Sequence, residues 1–138
     1  MSKYQLKEKV LDATEVIALR NSAGWHNLSK EKLQKALDKS VFFASIYFNN
    51  EPVAMGRIIG DGYQYFYLQD VIVLPEHQKN GLGWLVTENL VNRVKAIAEG
   101  GEFFGLMAAE GVAPFYERFG FQYRTDEMPG MGMYLEKS

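Results

Sequence analysis

The residues best spaced for chemistry lie between Gln78 and Trp84, where two glycines precede a long apolar-periodic segment. Leu82, Val86 and Leu90 fall four residues apart, which predicts a helix beginning at these glycines. The first turn of a helix leaves backbone N–H groups without intrahelical partners, and the helix dipole makes that end partly positive. Glycine also lets a ligand approach the backbone closely. The segment therefore suits an anion such as a pyrophosphate, although a plain strand-to-helix connection has the same composition.

A second candidate is Asp70, a carboxylate within the apolar segment Tyr65–Val73. A charge in such a strand needs a partner or a purpose, because leaving it unpaired away from water is costly. If the strand is regular, Tyr67 and Gln69 alternate with Asp70 across the sheet, so only one set faces a substrate. The sequence leaves open which set that is.

Several familiar sites are missing. The chain has no cysteine and two histidines, His26 and His77, which lie in different segments. Each histidine is interpreted as solvated or locally hydrogen-bonded, and no metal site is predicted. There is no G-x-S-x-G nucleophile turn and no G-x-x-x-x-G-K-[ST] phosphate loop, and the glycine pair lacks the third glycine of a dinucleotide fingerprint. Ordinary hydrolase and nucleotide-binding functions are therefore disfavoured.

Length and net charge further limit the kind of protein that this sequence can be. The 138 residues fit one domain, predicted over 1–138, with a hydrophobic fraction of 47% and a charged fraction of 23%. A net charge of −2 argues against nucleic acid as a partner, because phosphate contacts need a basic excess. No apolar run approaches the roughly 20 residues that span a bilayer, and the first residues do not resemble a secretory signal. We expect a cytoplasmic protein without a membrane partner.

Periodicity and turn residues order the elements that must position these groups. Extended segments are predicted at 4–10, 41–48, 52–59, 65–73 and 103–108, helices at 12–22, from Ser29, at 81–99 and at 113–119, and a final hairpin at 121–124 and 131–136. Asp12 and Ser29 are N-cap candidates. This order predicts an α/β (α+β) fold: a single mixed, mostly antiparallel sheet of about six to seven strands, with helices on both faces.

Two ordered motifs then carry a family resemblance. Gln78-Lys79-Asn80-Gly81-Leu82-Gly83 fits the Q/R-x-x-G-x-G/A signature of the GCN5-related N-acetyltransferase (GNAT) superfamily. The segment Ala113–Phe121, which reads APFYERFGF, is similar to a later motif of that superfamily. The two motifs occur in the family's order, and the element order matches over nearly the whole chain.

The resemblance implies acetyl-coenzyme A (acetyl-CoA) as the donor, with no metal. In such proteins the pantetheine arm pairs like an extra strand with the fourth strand, here Val71, Ile72 and Val73. The pyrophosphate lies on the glycine loop, here Gln78, Lys79, Asn80, Gly81, Leu82, Gly83 and Trp84. The chain departs from the pattern at 107–110, where many members carry an asparagine and this sequence has none.

The resemblance also implies catalytic roles. Acetyl transfer to a primary amine, by direct transfer through a tetrahedral intermediate, requires a neutral amine, although alkylammonium groups have a pKa near 10.4. Asp70 matches an acidic residue that orients or deprotonates the amine in some members; a structural carboxylate bonded to backbone is the alternative. Tyr116 matches the family tyrosine that assists departure of the thiolate, and a packed aromatic beside Phe115 is its alternative.

The sequence says less about the site that binds the acceptor amine. Trp25, in the loop between the first two helices, lies where family members build the acceptor wall, and Tyr67 and Gln69 are further candidates. An arylalkylamine would suit these aromatic residues, but a polyamine, an amino sugar or a protein amine fits the sequence too. Family members are often dimers, so a homodimer is an open expectation. A non-catalytic acyl-CoA-binding or regulatory domain is the alternative function.

Overall fold

A computed structural model describes residues 3–137 of the chain. Its strands are β1 (Tyr4–Lys7), β2 (Phe42–Phe48), β3 (Glu51–Gly60), β4 (Tyr65–Val73) and β5 (Phe103–Leu106). Its helices are α1 (Ala13–Ser22), α2 (Lys30–Asp38), α3 (Leu82–Ile97) and α4 (Ala113–Glu117), with a 3₁₀ turn at Pro75–His77. The predicted elements up to α4 are confirmed to within a few residues at their ends.

One mixed sheet runs in the order β1-β2-β3-β4-β5. The first four strands are antiparallel neighbours, and β5 is parallel to β4. The predicted fold class is confirmed, but the strand count of six to seven is wrong, because the described residues form five. The predicted hairpin at 121–124 and 131–136 is not formed there. Alternation of apolar and polar residues predicts which face of a strand would be buried. It does not predict whether another strand is available to pair with it.

Helices cover both faces of the sheet. Met55 of β3 packs with buried residues of α1 and α2, whereas a Cβ added at the next residue, Gly56, would lie 2.6 Å from Val86 of α3. Consecutive strand residues point to opposite faces, so α1 and α2 lie on one face and α3 on the other. The core on the α1–α2 face comprises Leu11, Ala13, Val16, Leu19, Leu33, Leu37, Phe43, Tyr47, Met55 and Ile72.

The chain divides into two compact units between Met107 and Ala108. The first holds the sheet, α1, α2 and α3, and the second holds α4. The single domain predicted over 1–138 stays a prediction.

The helices begin in two different ways. Asp12 caps α1 in a reciprocal pair, since its Oδ1 accepts from the N–H of Glu15 at 2.8 Å and Glu15 Oε1 accepts from the N–H of Asp12 at 3.0 Å. Ser29 caps α2 through its side chain, so both predicted N-caps are confirmed. In contrast α3 begins after Gly81, and no side chain caps it.

Candidate active site

The loop between β4 and α3 is folded by its own side chains. Gln78 Nε2 donates to the carbonyl of Val73 at 3.1 Å, which ties the loop back to the end of β4. Asn80 Nδ2 donates to the carbonyls of His77 and Gln78, at 3.1 and 3.2 Å. These contacts hold the loop so that the chain turns directly into α3.

The start of α3 fits a phosphate group. Gly81 is the N-cap, with φ 77°, a left-handed conformation that glycine adopts without strain. A Cβ added there would meet nothing within 4 Å, so the space beside the N-cap is open. No side chain caps this helix start, and the helix dipole makes it partly positive. Gln78, Lys79 and Asn80 are exposed beside it.

β4 has one extra residue, relative to β3, where the two strands pair near Asp70. Met55 pairs with Ile72 and Arg57 pairs with Gln69, so Gly56 alone lies opposite both Asp70 and Val71. Asp70 has φ 56°, the left-handed conformation that the first residue of a G1-type bulge adopts and that is usually taken by glycine. The sheet therefore has an irregularity at the predicted catalytic carboxylate.

The bulge overturns the expectation that Tyr67 and Gln69 alternate with Asp70. Gln69 lies directly opposite Arg57 and so shares its face, and Arg57 bonds the Asp70 carboxylate on that same face. Tyr67 is two residues from Gln69 and faces the same way. All three candidates thus lie on the α1–α2 face, because the extra residue at position 70 breaks the two-residue period.

The second half of β4 has an open edge. β5 pairs only with residues 65–68 of β4, and no other strand among residues 3–137 pairs with this edge beyond Leu68. Val71, Ile72 and Val73, the residues predicted to pair with pantetheine, lie on the segment beyond Leu68. An extended chain could bond there as an added strand.

The Asp70 side chain is almost buried and doubly paired. Its Oδ1 accepts from Arg20 Nη1 at 2.6 Å and its Oδ2 from Arg57 Nε at 2.8 Å. The exposed fraction of the Asp70 side chain is 8%, against 21% for Arg20 and 12% for Arg57. Both oxygens thus already accept charge-assisted bonds, which favours the structural alternative of the two that the sequence left open, with guanidinium rather than backbone as the partner.

The sequence reasoning missed Arg20 and Arg57. Arg57 lies within the apolar strand β3, so the rule that drew attention to Asp70 applied to it equally. Arg20 follows Val16 and Leu19 at helical spacing, on the face that α1 turns inward. The unused signal was the presence of three charged residues at positions of an otherwise apolar pattern, where a charge needs a partner.

Trp25 is brought to this charged group. It packs against the α1–α2 core, and its ring centre lies 5.4 Å from the guanidinium carbon of Arg20. Tyr67 is exposed, with its ring 5.9 Å from that of Phe103. The predicted acceptor residues Trp25, Tyr67 and Gln69 are therefore associated with one face of the sheet, and their role stays a prediction.

Tyr116 lies in α4, in the second unit. Its ring packs at 5.1 Å from Phe115 and 6.4 Å from Phe121. Burial raises the pKa of the Tyr116 hydroxyl above its ordinary value, because the charged phenolate is the form that burial disfavours. The side chain is thus both a packed aromatic and a hydroxyl that stays protonated to higher pH.

The histidines take no part in a metal cluster. His77 Nδ1 is 2.9 Å from the hydroxyl of Tyr4. Across the described residues, no three histidine, cysteine, aspartate or glutamate side chains are grouped to hold a metal ion. Over the same range, no helix has the length and apolar character needed to cross a bilayer.

Comparison with known proteins adds an independent finding. The model of the acetyltransferase (GNAT) domain family matches residues 8–134. Serotonin N-acetyltransferase 2, a chloroplastic protein of Oryza sativa subsp. japonica, is 32% identical over 83% of this chain, which spans 58% of that protein's length. The uncharacterised N-acetyltransferase ycf52 of Pyropia yezoensis is 28% identical over 95% of the chain and 76% of its own length.

Among solved structures, the protein of unknown function SA2161 from Staphylococcus aureus is similar throughout. It superposes with a TM-score of 0.88 at 26% sequence identity, covering 97% of this chain and 99% of its own. The fold is therefore shared over nearly the whole of both chains.

Proposed function

Because this chain belongs to the acetyltransferase (GNAT) family, we propose that it transfers an acetyl group from acetyl-CoA to a primary amine. One observation carries the proposal: the unpaired edge of β4 over residues 69–73 leads, through the loop that Gln78 ties to Val73, into the uncapped start of α3. A strand edge for an amide-containing arm and a helix N-terminus for a pyrophosphate thus follow each other along the chain.

The donor site is assigned to these two features. Val71, Ile72 and Val73 offer backbone groups to the pantetheine amides, and the segment from Gln78 to Trp84 holds the pyrophosphate. When bound, acetyl-CoA supplies the activated thioester. The protein's contribution is to hold that arm extended and to provide amides where the negative charge lies.

Asp70 is assigned an orienting role. Each carboxylate oxygen already accepts from a guanidinium and the side chain is nearly buried, so little of the carboxylate is left open to an incoming amine. We therefore assign removal of the amine proton to water, with Asp70 and its two arginines shaping the acceptor side of the bulge. This keeps the orienting half of the role that the family resemblance implies.

Tyr116 is proposed as the acid that assists the leaving thiolate. A raised pKa keeps its hydroxyl protonated, and therefore able to donate, throughout the neutral range. Its ring contacts with Phe115 and Phe121 hold the side chain in place within the second unit.

The proposed acceptor is an arylalkylamine, with a protein amine as the second choice. Trp25 and Tyr67 provide aromatic surface on the α1–α2 face, and the rice relative is named a serotonin N-acetyltransferase. Aromatic side chains bind an aromatic ring in offset or edge-to-face geometry. Cytoplasmic location and a homodimer stay predictions, and light scattering after gel filtration would decide the second.

The test joins binding and turnover. Calorimetric titration with acetyl-CoA and with CoA measures the donor site, and thiol release is then followed with serotonin, tryptamine, spermidine, glucosamine 6-phosphate and a lysine peptide. We expect binding of both nucleotides and fastest release with the aromatic amines. No binding at millimolar nucleotide would refute the proposal. Binding without thiol release from any amine would identify a non-catalytic acyl-CoA-binding domain instead.

A further inference from the structure

The connection between α1 and α2, residues 23–29, carries Trp25 without a regular element to hold it. Its fixation comes largely from one side chain, Arg20, at the end of α1. Arg20 Nε donates to Asn27 Oδ1 at 3.1 Å, and Nη2 donates to the carbonyl of His26 at 2.5 Å. The third nitrogen, Nη1, donates to Asp70 at 2.6 Å. All three guanidinium nitrogens are therefore used, two on the loop and one on the bulge of β4.

Trp25 is held by the same residue. Its backbone N–H donates to the carbonyl of Arg20 at 3.1 Å, and its ring lies 5.4 Å from the guanidinium carbon. Asn27, itself bonded by Arg20, donates through Nδ2 to Asn21 at 2.8 Å and to the Trp25 carbonyl at 3.4 Å. The tryptophan is thus bound to the bulged strand through one guanidinium.

The two arginines on Asp70 are not equivalent. Arg57 donates to Asp70 and also, through Nη1, to Ser40 Oγ at 3.2 Å and the Ala36 carbonyl at 3.4 Å, so it joins the sheet to the end of α2. Arg57 alone can neutralise the single carboxylate. Arg20 is therefore surplus for charge balance, and its distinctive contacts are those to the loop.

We propose that Arg20 is a positioning residue for the acceptor amine, which fixes Trp25 and the 23–29 loop against the bulge of β4. The proposal rests on the proposed function, because that function assigns the acceptor to this face. Arg20 acts through Trp25. Loss of the Arg20 side chain would therefore loosen the 23–29 loop on the acceptor side and leave the donor loop between β4 and α3 unchanged.

The chemistry of the side chain explains why arginine is needed. A guanidinium presents its donors as a rigid planar fork and reaches three acceptors at once, whereas an ammonium is a point charge on a flexible stem. Arg20→Lys keeps an ion pair with Asp70 within reach but cannot also bond both Asn27 and the His26 carbonyl in this geometry. Arg20→Lys and Arg20→Gln should therefore both free the loop, although only the first keeps the charge.

Trp25 reports on the loop directly. The chain has two tryptophans, so in a Trp84→Phe background the emission comes from Trp25 alone. We expect acrylamide to quench Trp25 more strongly in Arg20→Lys and Arg20→Gln than in the background protein. Arg93→Lys is the matched control, since Arg93 has a similar exposed fraction, 25%, and bonds Phe43, Asn89 and Glu8 instead. It should leave the quenching unchanged.

Kinetics, measured with Trp84 intact, separate positioning from stability. With serotonin as the probe amine, KM for serotonin should rise about tenfold in both Arg20 variants, as expected from losing charge-assisted bonds that order the wall. KM for acetyl-CoA should stay constant. A purely structural role would instead raise both KM values together, which would overturn the proposal.

Two further outcomes are decisive. Unchanged Trp25 quenching in a folded Arg20→Gln protein, checked by circular dichroism, would also overturn the proposal. If the parent protein acetylates neither serotonin nor tryptamine, the acceptor class proposed above fails, while the quenching comparison still decides whether Arg20 holds the loop.

Discussion

The bulge of β4 and the start of α3 lie close along the chain but satisfy their polar groups in opposite ways. At the bulge, both oxygens of Asp70 accept from guanidinium groups, and its side chain is nearly buried. At the start of α3, Gly81 offers no side chain to the first-turn amides, and the space beside it is open. One region is complete within the protein, and the other is the proposed binding site of a phosphate group.

This contrast shows what residue type alone leaves out of a catalytic inference. Aspartate is the residue type that suggests catalysis, yet here both of its oxygens already accept from arginines, Arg20 and Arg57. Glycine carries no functional group, yet it leaves amides available to a phosphate. The degree to which a group is already partnered therefore indicates its role better than its identity does.

The largest expected effect follows removal of the Asp70 charge. Asp70→Asn keeps the size of the side chain and tolerance of the left-handed backbone but leaves two mostly buried guanidiniums without a counter-charge. Breaking a buried pair from one side costs about 3–5 kcal/mol, so the free energy of unfolding should fall by about that amount. Urea unfolding measures it.

An exposed aspartate provides the control for this change. Asp38 accepts only from Gln34 Nε2, at 3.1 Å on the surface, and Asp38→Asn should alter the free energy of unfolding by less than about 0.5 kcal/mol. A fully stable Asp70→Asn protein that had lost turnover would reverse the comparison and make Asp70 the general base.

The next effect concerns the open region. Gly81→Asp puts a carboxylate beside the uncapped amides, so CoA affinity should fall by at least about 100-fold, the loss expected when a charged repulsion replaces charge-assisted bonds. Gly81→Asn, which tolerates the same backbone without the charge, should lose less. Isothermal calorimetry compares the two.

Gly24→Asp separates backbone strain from loss of the site. Gly24 has φ 74°, close to the value of 77° at Gly81, and open space at its Cβ position. CoA affinity should be unaffected there. Equal losses in the Gly24 and Gly81 variants would show that the phosphate does not bind at α3.

Tyr116 combines both situations in one side chain, because its ring is packed within the protein while its hydroxyl is proposed to protonate the leaving thiolate. Tyr116→Phe should lower kcat by about 100-fold, the lower end of the range for general acid catalysis, and spare acetyl-CoA affinity. The raised pKa places the alkaline limb of the wild-type pH–rate profile above about pH 10, and the phenylalanine variant should lack it. Wild-type turnover with an unchanged profile in a folded variant would leave Tyr116 a packing residue.

The smallest effect is expected at Asp61, a surface carboxylate that accepts from several backbone N–H groups. Asp61 Oδ1 accepts from the N–H groups of Tyr65, Tyr63 and Gln64, led by Tyr65, and these bonds lower its pKa. Because the folded pKa is below the unfolded value of about 3.9, the stabilisation is present above that pH and is lost as pH falls through the folded pKa.

Melting temperatures of wild type and Asp61→Asn, measured from pH 7 to pH 2, should therefore converge at the acid end. A gap that does not change with pH would mean that the charge of Asp61 contributes nothing to the turn.

Local signals predicted the elements, but not the pairing that completes the site. Asp12 and Ser29 cap α1 and α2 as expected, since capping depends on a few adjacent residues. The bulge at Asp70 depends on how β4 aligns with β3, and Arg20 lies 50 positions from its partner. Such contacts are set by tertiary packing, which periodicity in one segment does not encode. The prediction of a hairpin after α4 was wrong for the same reason, because strand pairing also depends on tertiary packing.

The bulge also bears on how this strand tolerates insertions and deletions. Met55 to Ile72 and Arg57 to Gln69 are the ladder pairs on either side of it, so a strand lacking Asp70 would pair Gly56 with Val71 and keep every other residue on its present face. Elsewhere in a sheet, deleting one residue inverts all that follow. At this bulge, deletion of the single residue Asp70 would leave the pairing register of β3 and β4 unchanged. A lineage could therefore lose the carboxylate without rebuilding the sheet, and the cost would fall on Arg20 and Arg57, which would lose their counter-charge.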